Sequence, residues 1–126
     1  MNDAWMIIAG TACFLFITFF TGFRLSRFGK PYGTWLFNLH KLFALAAAAA
    51  TGWFVVRTSQ ASSLDAKESA AVVITAVFFL GAMISGGIAS ARRTIPAGVS
   101  AAHKIFPVLT VLSASAALYF LLTRGM

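Results

Sequence analysis

Pro31-Tyr32-Gly33-Thr34-Trp35-Leu36-Phe37-Asn38-Leu39-His40-Lys41-Leu42-Phe43 leads into an apolar run that meets no further charge until Arg57. Pro96-Ala97-Gly98-Val99-Ser100-Ala101-Ala102-His103-Lys104-Ile105-Phe106 leads into another, uncharged to Leu122. Each stretch offers a Pro-x-Gly turn, then His-Lys-aliphatic-Phe, then a long apolar segment. His40 and His103 are the only two histidines in the chain. A helix crosses a bilayer with about 20 apolar residues, so both segments read as membrane spans with a histidine near one end.

The rest of the chain fits the same reading. Of its 126 residues, 60% are hydrophobic and only 10% charged, and the mean hydropathy is +0.86. A soluble domain of this size needs more polar surface, so the composition is that of an integral membrane protein. Four spans are expected, over residues 4–23, 33–56, 70–91 and 99–122, in a single membrane domain covering residues 1–126. The fold class expected is all-α: a transmembrane four-helix bundle made of two repeated helical hairpins.

The first run lacks a basic leader, so no cleavable signal peptide is expected. Cys13 is the lone cysteine and lies in mid-span, which excludes an intrachain disulfide. No Cys-x-x-Cys-His is present for covalent haem attachment. The net charge of +7 clusters at span ends, which points to topology and lipid headgroups rather than nucleic acid.

Breaks between spans carry turn and charge signals. Arg24, Arg27 and Lys30 end span 1, Pro31 suits the first turn of span 2, and Arg57 ends that span. The polar stretch 58–69 carries a helix start near Ser63 to Asp65. Arg92 and Arg93 end span 3, and Arg124 follows span 4. The positive-inside rule then places the two short basic loops in the cytoplasm and both termini outside.

Spans 2 and 4 run in one direction, and their histidines fall at nearly one depth. Two imidazoles on alternate helices of a bundle suit the axial positions of one haem b, gripped through neutral ring nitrogens. At the matching level, span 1 offers Thr21 and Gly22, and span 3 offers Ser85, Gly86 and Gly87. These small residues would make room for the macrocycle. Arg24, Lys41, Arg92, Arg93 and Lys104 lie on the side suited to anionic propionates. Phe37, Phe43, Ile105 and Phe106 would exclude water, and Ala44, Ala47 and Thr110 would let the ring approach. Pro107 removes the N–H that would serve the His103 carbonyl and is expected to bend span 4 there.

This pattern resembles the membrane b-type cytochromes, in which histidines from separate helices sandwich haem b: the cytochrome b561 class and the cytochrome b anchor subunits of respiratory complexes. The resemblance covers the four spans and rests on His40 and His103. It implies one-electron transfer, with a quinone or a partner subunit exchanging electrons. The b561 class carries two haems and four ligand histidines, whereas two histidines allow one haem, so transfer between two haems and ascorbate-linked activity do not carry over.

With both axial positions filled, such a haem transfers electrons and does not activate oxygen, and no dinucleotide or flavin motif marks a stand-alone enzyme. Three other readings compete: a haem carrier or assembly protein, a non-haem structural subunit whose histidines anchor it at the interface, and a small transporter. The absence of a carboxylate between Ala4 and Phe23 argues against proton-coupled export of the small multidrug type. The site could also lie within one chain or across a homodimer.

Overall fold

The computed structural model describes residues 2–124. The chain is all-α, with helices α1 (Asp3–Phe28), α2 (Thr34–Ala61), α3 (Ala66–Ala91) and α4 (Ala97–Leu122). Each is long and apolar enough to cross a bilayer, as in a multi-pass integral membrane protein. Among the described residues there is no strand. The chain forms two compact units, Met1–Ala61 and Ser62–Met126. In the first α1 packs on α2, and in the second α3 packs on α4. Each unit is therefore a helical hairpin, as the repeat in the sequence predicts.

The helices outrun the apolar segments. α1 continues through Arg24 and Arg27, α2 passes Arg57 to Ala61, and α3 begins at Ala66, four residues before the expected start. Long basic side chains reach past a span end while their stems stay on the helix, so a charge ends the apolar run without ending the helix. Arg24 lies over the Phe28 ring at 4.7 Å, and Arg57 over Trp53 at 5.1 Å. Pro31 does not open α2, which begins three residues later at Thr34. Pro96 stands at the N-cap of α4.

Within the polar stretch 58–69, only residues 62–65 lie outside a helix, and α3 starts where the sequence says a helix should. Asp65 caps α3 by accepting the Glu68 backbone N–H at 2.8 Å, and Glu68 accepts the Asp65 backbone N–H at 2.8 Å. This capping box satisfies two of the N–H groups that a helix start leaves open. Replacing Asp65 by alanine is expected to cost about 1 kcal/mol, read as a lower melting temperature in detergent.

Large apolar residues such as Phe16, Trp35 and Ile84 stand exposed on helix faces, a surface suited to lipid. The buried positions are mostly small: Ala47, Ala71, Ala89, Ala114, Ala117, Thr21, Ser85 and Thr110. Small side chains let helix backbones approach, which drives association where lipid tails are as apolar as leucine. Among the described residues, ten serine and threonine hydroxyls, Thr18, Thr51 and Thr75 among them, donate to the carbonyl four residues back, which keeps them satisfied without water.

The burial pattern is itself repeated. Thr21 and Leu25 in α1 match Ser85 and Ala89 in α3, and Ala47 and Phe54 in α2 match Thr110 and Ala117 in α4. The duplication in the sequence thus extends well beyond the His-Lys phrase.

Candidate functional site: two matched histidine seats

His40 is the seventh residue of α2, and His103 is the seventh of α4. At 1.5 Å per residue each lies about 9 Å along its helix. Both rings are half-buried, and each is held by the first helix of its own hairpin.

In the first hairpin, His40 Nδ1 lies 2.9 Å from the Thr18 carbonyl oxygen and 3.2 Å from Thr21 Oγ1. A backbone carbonyl only accepts, so Nδ1 carries the proton and donates it. The Thr21 hydroxyl is turned the other way, donating to the Ile17 carbonyl at 2.8 Å or the Thr18 carbonyl at 3.0 Å. Its oxygen is then left to accept from Nδ1–H. The imidazole edge rests on Gly22: a Cβ there would come within 2.9 Å of His40 Cε1.

The second hairpin repeats this arrangement. His103 Nδ1 lies 3.0 Å from the Ala82 carbonyl oxygen and 3.3 Å from Ser85 Oγ. Ser85 donates to the Gly81 carbonyl at 2.8 Å or the Ala82 carbonyl at 3.1 Å. A Cβ at Gly86 would come within 2.7 Å of His103 Cε1. One turn further on, Phe43 meets Phe14 with ring centroids 5.8 Å apart, and Phe106 meets Phe78 at 6.3 Å, each pair tilted.

The chemical consequence is the same in both seats. In a neutral ring, an Nδ1–H donated to a carbonyl selects the tautomer whose lone pair is on Nε2. The bond also fixes ring orientation. Nε2 is the atom through which an imidazole in this tautomer can bind a metal. Among the described residues, no three histidine, cysteine, aspartate or glutamate side chains gather around one point as ligands of a bare metal ion.

The other residues singled out from sequence divide by position. Thr21, Gly22, Ser85 and Gly86 are brought against the histidines, but the space at the two glycines is taken by the imidazoles. Gly87 faces away, with nothing within 4 Å of a Cβ placed there. Lys41 and Lys104 follow the histidines on exposed faces, and Lys41 Nζ lies 4.1 Å from the Phe37 ring centroid. Arg24 is exposed two residues after Gly22, while Arg92 and Arg93 lie beyond the end of α3. Ala47 and Thr110 are buried one turn or more past the histidines, whereas Ile105 is exposed. α4 continues through Pro107, four residues after His103.

Sequence reasoning did not find the carbonyls of Thr18 and Ala82, because backbone acceptors have no residue signature. It also did not find Phe14 and Phe78. These are legible afterwards as a second repeated phrase, Phe-x6-Thr-Gly in α1 and Phe-x6-Ser-Gly in α3. No protein-family model, curated protein or solved structure matches the chain.

Proposed function

We propose that the protein is a membrane b-type cytochrome that holds one haem b through His40 and His103 and passes single electrons. The observation that carries this reading is the shared state of the two imidazoles. Each has its Nδ1 proton committed to a carbonyl, 2.9 Å away for His40 and 3.0 Å for His103, which presents Nε2 as the donor. Histidines serving only as interfacial anchors have no need of one tautomer, one ring orientation and one depth, reached twice on matched residues.

The porphyrin supplies four nitrogens, so two protein donors complete the iron's coordination, and no larger ligand cluster is required. When bound, the haem supplies one-electron chemistry. The protein's own part is to hold the two neutral imidazoles and to surround them with apolar side chains. Phe14, Phe43, Phe78 and Phe106 line the next turn of each hairpin. Arg24, Lys41, Arg92, Arg93 and Lys104 are the cations available to the propionates at the histidine end of each hairpin. By the positive-inside rule this end faces the cytoplasm. A quinone within the bilayer or a partner subunit would exchange the electron.

The protein purified in mild detergent, with haem supplied during expression, is expected to be red. Its reduced-minus-oxidised spectrum should have the narrow bands of low-spin b haem, at about one haem per chain. A colourless protein that also fails to take up added haem refutes the reading. A haem carrier would instead bind carbon monoxide when reduced.

A further inference from the structure

The duplicated contact between glycine and imidazole points to a role for Gly22 and Gly86 that differs from making room for a macrocycle. We propose that these two glycines are the positioning residues of the histidine ligands, each setting where its imidazole sits so that the adjacent carbonyl can hold Nδ1–H. The proposal deepens the cytochrome reading and rests on it only for the identity of what the imidazoles bind.

A Cβ on Gly22 would lie 2.9 Å from His40 Cε1 and 3.3 Å from Nδ1. One on Gly86 would lie 2.7 Å from His103 Cε1 and 3.1 Å from Nδ1. Carbon atoms at optimal contact are about 3.5–4.0 Å apart, so a single methyl group forces either ring to move. A flexible side chain could yield at little cost, but these rings are tied. Moving the Cε1–Nδ1 edge outward lengthens the bonds from Nδ1 to Thr18 and Thr21, or to Ala82 and Ser85. Once those bonds are lost, the preference for the Nδ1–H tautomer goes with them, and so does the direction in which Nε2 points. The glycine is therefore coupled to the ligand's protonation pattern and not merely to helix packing.

Helix propensity makes the opposite forecast. Glycine to alanine within a helix ordinarily stabilises it, by up to about 1 kcal/mol. Gly10 in α1 and Gly52 in α2 have nothing within 4 Å of a Cβ placed on them, so they report this background effect.

The experiment has two readouts on Gly22→Ala, Gly86→Ala, Gly10→Ala and Gly52→Ala. The first is nitrogen-15 NMR of the histidine side chains in haem-free protein, which reports the tautomer of each ring. The second is haem content and the low-spin spectrum after loading with haem. Gly22→Ala is expected to abolish the single Nδ1–H tautomer of His40 while leaving that of His103. Gly86→Ala should do the reverse. Each should retain haem at least tenfold more weakly and shift part of the spectrum from low spin to high spin. The two control variants should match the unaltered protein or melt at a higher temperature. If Gly22→Ala and Gly86→Ala leave both tautomers unchanged, the proposal is overturned. If the tautomers respond as expected but the unaltered protein binds no haem, the positioning role stands and the cytochrome reading falls.

Discussion

His40→Ala and His103→Ala are each expected to remove the low-spin b-type spectrum completely, and to weaken haem retention at least tenfold. On the cytochrome reading, His40 and His103 would both hold the haem, so losing one would leave the iron high-spin or the site empty. The two variants should behave alike, because the seats match: a carbonyl at about 3 Å from Nδ1, a hydroxyl behind it, and a glycine under the ring. Free imidazole added to His40→Gly or His103→Gly should restore the low-spin bands by occupying the vacated position. Optical spectroscopy of purified protein decides the matter. Retention of an unaltered spectrum in either single variant would remove that histidine from the ligand set.

The second large effect is expected at the other end of the second hairpin. Glu68 is buried, with only 3% of its surface exposed. One carboxylate oxygen accepts from Arg124 Nε at 2.8 Å, and the other accepts the Asp65 backbone N–H. The Arg124 guanidinium also donates to the carbonyls of Ser62 and Ser63. The C-terminal end of α4 is thereby tied to the first turn of α3 and the segment before it.

Removing one partner from a buried ion pair leaves a charge without compensation, which costs about 3–5 kcal/mol. Glu68→Ala should fall in this range, since it also removes half of the capping box. Glu68→Gln should cost less, because the amide oxygen can still accept from Asp65. Arg124→Ala should fall toward the upper end, because it strands a carboxylate that is only 4% exposed, whereas Glu68→Ala strands a guanidinium that is 21% exposed. Thermal unfolding in detergent measures each variant. The double variant should be less destabilised than the sum of the two single ones, and strict additivity would show that the pair contributes no coupling.

Haem retention offers a check on the independence of the two effects. The Glu68–Arg124 pair lies near the N-terminus of α3 and the C-terminus of α4, whereas Ser85 and His103 lie at the opposite ends of those helices. Variants of the ion pair should therefore lower stability while leaving the haem spectrum of the folded protein unchanged.

Much of this architecture could be read directly along the chain. Four apolar runs, basic residues at their ends and Pro-x-Gly turns are local signals, and hydrophobic length alone dictates a spanning helix. The helix start at Asp65 was legible because a capping box is made by residues three apart. The two histidines stood out because ionisable groups are costly within a span. Thr21, Gly22, Ser85 and Gly86 could be placed near them by counting residues at a common depth. The helix ends could not be read as well: a charge marks where lipid stops being favourable, while the backbone hydrogen bonds continue for another turn.

Tertiary packing alone decided what each small residue accommodates. Depth along a helix leaves rotation about its axis open, so the sequence could not tell a glycine that faces a macrocycle from one that faces an imidazole. Only the pairing of α1 with α2, and of α3 with α4, turns Gly22 and Gly86 toward the rings and brings the carbonyls of Thr18 and Ala82 within hydrogen-bond range of Nδ1. The Glu68–Arg124 pair depends on the same kind of information, since 56 residues separate its members and no local pattern links them. Sequence determined the number, length and chemical character of the helices. Helix packing determined the tautomer of the histidines, because that state is set by backbone oxygens that no side-chain pattern encodes.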